Sequence, residues 1–434
     1  VTTPAPGTPL QEIERAARRR ADDAALDMDD PGAADRLRAI IAEEVGRWND
    51  EQRRGNRTDR FTDERAIVER AFRNLAGFGP LDPLLDDPDV WEIMVNAPDA
   101  VFVRRHRAPS GYHDESFHDD DHVARTLNRM LDAAGTHRKL DPSEGLQDAQ
   151  LASGARVHVV HRDLTAGGHL LVNIRKFTGV AVRSLDELVA LGTIDRAAAI
   201  LLRAAVRGRR SIVFSGAPGS GKTTLLSCCA AELDPSLRVV TAEEVLEIDI
   251  PVANVASMQT RAARSDRDAV DLRRLVAGFL RMSPDIAIVG EVRDREALPL
   301  LLTLSSGVTG YTTIHAASAR QALTRLRFVA QLADGGAALP AHALTTLVSE
   351  TVDLVVHCRR GPSGPVVEEI VAVEDLLTVG DGAPFTVTEL FQRSALEAPL
   401  RWTGTLPVRL ARRLERHDVD LRALLHDVAE GVDR

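Results

Sequence analysis

The strongest constraint on this chain is a nine-residue stretch, Gly216-Ala217-Pro218-Gly219-Ser220-Gly221-Lys222-Thr223-Thr224. It fits G-x-x-x-x-G-K-[ST], the phosphate-binding loop. Glycines let the backbone curl until successive N–H groups point inward at anionic oxygens. A helix opening at the end of the loop adds the positive end of its dipole. Lys222 is placed to reach the β- and γ-phosphates of a nucleotide, and the Thr223 hydroxyl to ligate Mg²⁺. Pro218 is tolerable because its position need not supply a phosphate donor. The flanks agree with the motif: 211–215 (S-I-V-F-S) reads as a buried strand and 224–231 (T-L-L-S-C-C-A-A) as a helix. Gly216, Gly219, Ser220, Gly221, Lys222, Thr223 and Thr224 therefore form the candidate nucleotide site, with ATP and Mg²⁺ as its expected ligands.

A chain of 434 residues has room for two or three domains. Its net charge of −10 argues against a general nucleic-acid binder and leaves room only for a local basic channel. Three cysteines make no disulfide framework, so a reducing compartment is expected; the adjacent Cys228 and Cys229 read as packing behind the loop rather than as a redox pair. The N-terminus shows no secretory leader pattern. The longest uncharged run, 297–319, contains Pro299, Gly307, Gly310 and His315, so it reads as protein interior and not as a bilayer span. Any membrane association is then expected to go through partners.

In chain order, 1–9 is rich in Pro and Thr and is expected to be disordered. Three helices follow, at about 10–25, after Asp30-Pro31 with Leu37, Ile40, Ile41, Val45 and Trp48 at helical spacing, and at about 63–76, with a polar linker expected over 49–60. A hairpin is predicted for 90–95 and 101–105, then a helix at about 121–134 and strands at 146–151, 155–160 and 170–175. The cluster His113, Asp114, Glu115, His118, Asp119, Asp120, Asp121 and His122 resembles metal ligands in composition, but its spacing fits no standard site and it reads as a solvated face. From about 178 helices alternate with apolar strands: helices at 195–206, 268–281, 293–305, 319–332 and 340–348, strands at 237–241, 285–289 and 311–315, and a closing β pair at 352–358 and 366–373. That alternation predicts a mainly parallel, doubly wound sheet. The predicted organisation is a helical region (1–76), an α+β domain (77–178), an α/β domain (179–374) and a partly helical tail (375–434).

A phosphate loop needs an acidic partner for Mg²⁺ and a base to orient water. Two acidic clusters follow strands, where an α/β sheet presents its site: Glu243, Glu244 and Glu247 after 239–241, and Glu291 after 286–289, where Gly290-Glu291 stands in place of the usual strand-end Asp.

Here the resemblance becomes specific. Leu280-Arg281-Met282-Ser283-Pro284-Asp285 followed by Val289-Gly290-Glu291-Val292-Arg293-Asp294 resembles the atypical Walker B segment of secretion ATPases (type II/type IV). Thr312-Thr313-Ile314-His315-Ala316 resembles their histidine box and 241–247 their aspartate box. The stretch 84–96, with Glu92-Ile93-Met94-Val95-Asn96, resembles the N-terminal domain of the tight-adherence (Flp-type) pilus assembly ATPases. The likeness runs from about 78 to 373. It implies a RecA-like P-loop ATPase domain preceded by an α+β N-terminal domain, assembled as a hexameric ring. It further implies a cytoplasmic motor docked on inner-membrane platform proteins. By position, Glu247 matches the base that activates water, Glu291 the Walker B glutamate that holds the Mg²⁺ shell through water, and His315 the histidine near the γ-phosphate. Arg156 and Arg175 match arginines offered to the phosphates from the N-terminal domain, with Arg261 a weaker candidate. Two departures stand out: Glu244 occupies a place usually held by Asp, and Gly307 is followed by Val308 where Gly-His often opens the histidine box. The segment 178–183 is the expected hinge. The rival in the same fold is a type IV secretion or conjugation DNA-transfer ATPase; outside it stand a nucleic-acid translocase and a nucleotide-gated scaffold that does not hydrolyse.

Overall fold

The computed structural model describes all residues except 1–7, 29, 56–59, 106–107, 134–139, 142, 144, 152, 177–181, 262–267, 334–338, 363, 377–383 and 430–434. Most of the disordered start and of the hinge segment expected from the sequence therefore lies outside the described residues. The chain divides into two units, Val1–Thr178 and Gly179–Arg434.

The first unit opens with three helices, α1 (Pro9–Asp23), α2 (Ala33–Arg54) and α3 (Glu64–Ala76). They bury Leu10, Ile13, Ala17, Leu37, Ile41, Val45 and Ala71 together. The predicted linker at 49–60 begins too early, because α2 continues to Arg54. Asn49, polar in sequence, is buried: its amide accepts from Phe61 N at 2.9 Å and donates to Phe61 O at 3.1 Å, pinning the connection to α3. After the short α4 (Asp82–Asp86) come β1 (Val90–Ala97), β2 (Ala100–Arg105), β3 (Gly111–Tyr112), α5 (Asp120–Ala133), β4 (Leu146–Gln150), β5 (Arg156–Val160) and β6 (Leu171–Arg175). The six strands make one antiparallel sheet in the order β3-β2-β1-β6-β5-β4. Alternate residues such as Ile93, Val95, Val157 and Ile174 pack on Val123, Leu127 and Met130 of α5, which is the period-2 pattern of a sheet covered on one face.

The acidic, histidine-rich segment before α5 is not the solvated face expected from its composition. His122 is buried, its ring stacks on that of His118 at 4.8 Å, and His118 Nε2 lies 2.8 Å from Glu14 Oε2 of α1. Asn74 of α3 donates to the other Glu14 oxygen at 2.7 Å. Burial takes the His122 pKa down to about 3, so this ring is neutral. The segment is a polar seam joining α1, α3 and α5.

The second unit contains α6 (Leu185–Ala190), α7 (Arg196–Arg207), β7 (Ile212–Gly216), α8 (Lys222–Ala230), β8 (Val239–Glu243), β9 (Val255–Gln259), α9 (Leu272–Ala277), β10 (Ile286–Val292), α10 (Ala297–Ser305), β11 (Thr309–Ile314), α11 (Ala319–Leu332), α12 (Ala341–Thr351), β12 (Leu354–Gly361), β13 (Gly364–Val373), β14 (Val387–Gln392), β15 (Arg401–Trp402), α13 (Val408–Glu415) and α14 (Leu421–Ala429). The nine strands run in the order β15-β14-β13-β12-β7-β11-β10-β8-β9. The stretch from β12 to β9 is parallel, and β13, β14 and β15 close one edge antiparallel. Both faces are covered. Ile212 and Phe214 of β7 share a core with Leu202, Leu225 and Leu414, while Val213 between them joins Leu301, Leu326 and Val348 on the other face. A strand buried on both sides reads as an unbroken apolar run, which is why β7 was legible. This is the RecA-like α/β fold.

Three expectations need correction. The helix predicted over 268–281 is only α9; Gly278 ends it and a 3-10 turn, Phe279–Met282, follows. The edge strand β9 carries no strong alternation and was not anticipated. Residues 375–434 carry the helices expected of them, α13 and α14, but they are not only a tail: β14 and β15 extend the main sheet, and Leu410, Leu414, Leu421 and Leu425 enter its core. Glu374 anchors this return, accepting from Val408 N and Arg409 N at 3.0 Å each. Among the described residues, no helix is long and apolar enough to cross a membrane.

Candidate nucleotide site

The loop after β7 is shaped by glycines in conformations closed to other residues: φ is +147° at Gly216, +72° at Gly219 and +88° at Gly221. Gly216 also lies against β12, where a Cβ would sit 2.1 Å from the Cys358 carbonyl oxygen. The helix α8 opens at Lys222 with no side-chain cap on its first turn, so its backbone donors are presented to the loop. Ser220 is 1% exposed and its Oγ has no hydrogen-bond partner among the described groups. Lys222 is 6% exposed, and its ammonium donates to the carbonyls of Gly216 at 3.1 Å and Ala217 at 2.9 Å. An uncapped helix start, a buried hydroxyl wanting a partner and a buried ammonium fit a phosphate group. Thr223 and Thr224 occupy the first turn of α8, half-buried.

From Lys222 a polar path leads across the sheet. Its Nζ lies 3.3 Å from His315 Nδ1, at the end of β11, and that nitrogen lies 3.1 Å from Gly216 O. His315 Nε2 is 2.7 Å from Glu291 Oε1, close but off the line of a good hydrogen bond. The other Glu291 oxygen accepts from Arg293 Nη2 at 2.7 Å, and Arg293 Nη1 donates to Glu244 Oε2 at 3.0 Å. Burial pushes the Glu291 carboxyl up, but His315 and Arg293 outweigh it and bring its pKa down to about 2. It is therefore a fixed negative charge.

The hydrogen bond to Glu291 outweighs burial and holds the Arg293 pKa above its usual value, with smaller help from the charges of Glu244 and of the half-buried Glu247. The place of Glu247 depends on a neighbour that the sequence marked only as one of the same acidic cluster. Glu243, at the end of β8, is buried, and its Oε2 accepts from Glu247 N at 2.8 Å and Ile248 N at 3.1 Å. That carboxylate also explains Gly290: a Cβ there would be 2.9 Å from Glu243 Cγ. The absence of a strand-end Asp is thus a steric requirement of Glu243. Arg293 was likewise overlooked as a site residue, although two residues after Glu291 at a strand end was a usable signal.

Arg156 and Arg175 belong to the first unit, where β5 and β6 place them directly opposite each other. Glu92 faces Arg175 in the next strand, and Arg104 faces Glu92, so these four share one cross-strand row. Arg104 Nη1 lies 3.3 Å from Glu92 Oε2. Arg261 is exposed and donates to the Asp268 carbonyl at 3.2 Å. The structure thus brings Lys222, His315 and Glu291 into one contact path with Glu247 beside it, and pairs Arg156 with Arg175.

Residues 74–377 match the model of the type II/IV secretion system protein family. The chain is similar to the conjugal transfer protein TrbB of Rhizobium radiobacter, with 32% identity over 67% of this chain and 85% of that one. It is also similar to the type IV secretion system protein VirB11 of Brucella suis, with 28% identity over 70% of this chain and 91% of that one. The crystal structure of the Brucella suis VirB11 ATPase in complex with sulphate aligns at 26% identity over 67% of this chain and 94% of its own, with a TM-score of 0.35. By the extent of the family match, which covers more than half its length, this chain belongs to the type II/IV secretion system protein family.

Proposed function

We propose that this chain is an ATP-hydrolysing motor of a type II/IV-like secretion or tight-adherence pilus assembly system. The observation that carries the reading is the continuous path Gly216–Lys222–His315–Glu291–Arg293–Glu244, which links the phosphate loop to both acidic clusters. Loop N–H groups, the Ser220 hydroxyl and Lys222 would hold the triphosphate, Thr223 would ligate Mg²⁺ directly, and Glu291 would hold it through water. When bound, Mg²⁺·ATP supplies the phosphoryl group and the metal's Lewis acidity. Glu247 orients a water and takes its proton, with its backbone held by Glu243. Lys222 offsets negative charge as it develops, and the family resemblance assigns the same task to Arg156 and Arg175, offered from the first unit of the same or a neighbouring copy.

The expected assembly is a hexameric ring at the inner face of the cell membrane, in the cytoplasm, held there by membrane platform proteins and turning hydrolysis into motion between its two units. Family resemblance supports this reading. A second reading, a conjugation DNA-transfer ATPase, is favoured by the similarity to the conjugal transfer protein TrbB. Phosphate release by purified protein, with Lys222→Ala as control, tests the enzyme: normal turnover in that variant refutes the site. Platform-protein binding without DNA stimulation supports pilus or protein export, whereas stimulation by DNA that falls steeply with salt supports DNA transfer.

A further inference from the structure

We propose that His357 is a positioning residue for the phosphate loop: it fixes Ser215, the residue just before the Gly216 carbonyl on which Lys222 rests, and ties it to the β12–β13 hairpin. His357 is 2% exposed and lies in β12 directly across from Ser215 in the parallel register with β7. Its Nδ1 is 2.9 Å from the fully buried Ser215 Oγ. On the other side of the ring, Nε2 lies 3.7 Å from Glu368 Oε2, and Arg359 donates to Glu368 Oε1 at 2.8 Å. The register explains how Glu368 gets there. His357 pairs with Glu369 but Cys358 pairs with Val367, so Glu368 is the extra residue of a β-bulge, and bulges re-aim side chains.

Burial, helped by Arg359 and Lys222 and opposed by the charge of Glu368, holds the His357 pKa below the ordinary imidazole range, so the ring is neutral. A neutral ring that accepts at Nδ1 carries its proton on Nε2, toward Glu368. The Ser215 hydroxyl then donates to the ring, whose opposite nitrogen faces, at 3.7 Å, a carboxylate held by Arg359. The next peptide shows what this orders. The Gly216 carbonyl receives the Lys222 ammonium at 3.1 Å, and the Cα of Gly216 is pressed on the Cys358 carbonyl. Strand β12 therefore supports two consecutive loop residues, one by a side chain and one by backbone. The hairpin adds two more contacts: Arg360 Nη1 donates to Gly219 O at 3.4 Å, and Pro365 abuts Gly221.

This inference rests on the reading of the loop as an ATP site. The test is steady-state ATPase kinetics of the full chain with His357→Leu, His357→Gln and Ser215→Ala. Leucine leaves the buried Ser215 hydroxyl without an acceptor, and the expected result is a KM for ATP raised about tenfold with kcat changed less than about threefold, since neither acidic cluster is touched. Glutamine supplies an acceptor oxygen and an N–H donor, and should return KM to within about twofold of wild type. Ser215→Ala, which keeps the packing, should raise KM in the same direction and stands in if His357→Leu does not fold. Unchanged KM in Ser215→Ala, or a folded His357→Gln that fails to recover KM, overturns the proposal. Turnover in the Lys222→Ala control sinks the ATP-site reading itself. An inactive control beside an unaffected Ser215→Ala sinks only the role of His357.

Discussion

Substituting Gly216 by alanine tests how the loop is built, because two costs fall on one methyl group. At φ +147° an L-residue is strained, by about 1–3 kcal/mol. The added Cβ would also sit 2.1 Å from the Cys358 carbonyl oxygen and 2.5 Å from Ser220 Oγ. The first neighbour is backbone in the central part of the sheet, paired with β7, and cannot retreat without parting the two strands. Overpacking of this kind costs about 1–3 kcal/mol, so the total is about 2–6 kcal/mol, a large share of the ~5–15 kcal/mol that keeps a domain folded. Gly364→Ala is the matched control: its φ is +131°, but nothing lies within 4 Å of the new Cβ, so only the strain applies. Urea unfolding followed by circular dichroism should therefore place Gly216→Ala about 1–3 kcal/mol below Gly364→Ala. Titration with a fluorescent ATP analogue should show weakened binding in Gly216→Ala alone. Equal losses in the two variants, or unaltered nucleotide affinity in Gly216→Ala, would refute the claim that β12 sets the position of the loop.

Glu247→Gln should bind the nucleotide analogue like wild type while releasing phosphate at least about tenfold more slowly; wild-type rates would move the base elsewhere. The Glu291 carboxyl has a folded pKa of about 2 against an ordinary 4.5, so its ion pairs stabilise the fold fully above the ordinary value and are lost as pH falls toward the folded one. The stability gap between wild type and Glu291→Gln should thus be constant near neutral pH and close between about pH 4.5 and 2, and a gap that does not change with pH in urea titrations would contradict the pairing with His315 and Arg293. Glu374→Ala removes the carboxylate that accepts from Val408 N and Arg409 N and should cost about 1–2 kcal/mol; hydrogen exchange should quicken in α13 while β7 stays protected, and unchanged protection in α13 would show that the anchor lies elsewhere.

What could be read from the residues was whatever local chemistry imposes. A loop whose glycines take positive φ, followed by Lys222 and Thr223, can be recognised in nine residues because the conformational demand and the phosphate contacts are both local. The alternation of apolar strands and helices from β7 to β12, β9 excepted, was legible for a similar reason, since a strand covered on both faces is mostly apolar. The acidic residues after β8 and β10 could be picked out because the ends of parallel strands are where this kind of sheet presents its site. What remained hidden depended on partners far away in the chain. Nothing around Gly290 says that its missing side chain makes room for Glu243, and nothing around Glu243 says that it is a backbone clamp rather than another solvated acid. Arg293 becomes a bridge only when β8 and β10 lie side by side, and Asn49 and His122 look like surface residues until their helices pack. The segment after 375 reads only as a partly helical tail because β14 and β15 gain their hydrogen bonds from the edge of a sheet already formed. Local conformational preference and hydrophobic period thus marked out the candidate phosphate loop. The pairing of distant strands decided which acids, cations and histidines meet there, because a hydrogen bond or ion pair between residues a hundred positions apart leaves no mark on the sequence around either one.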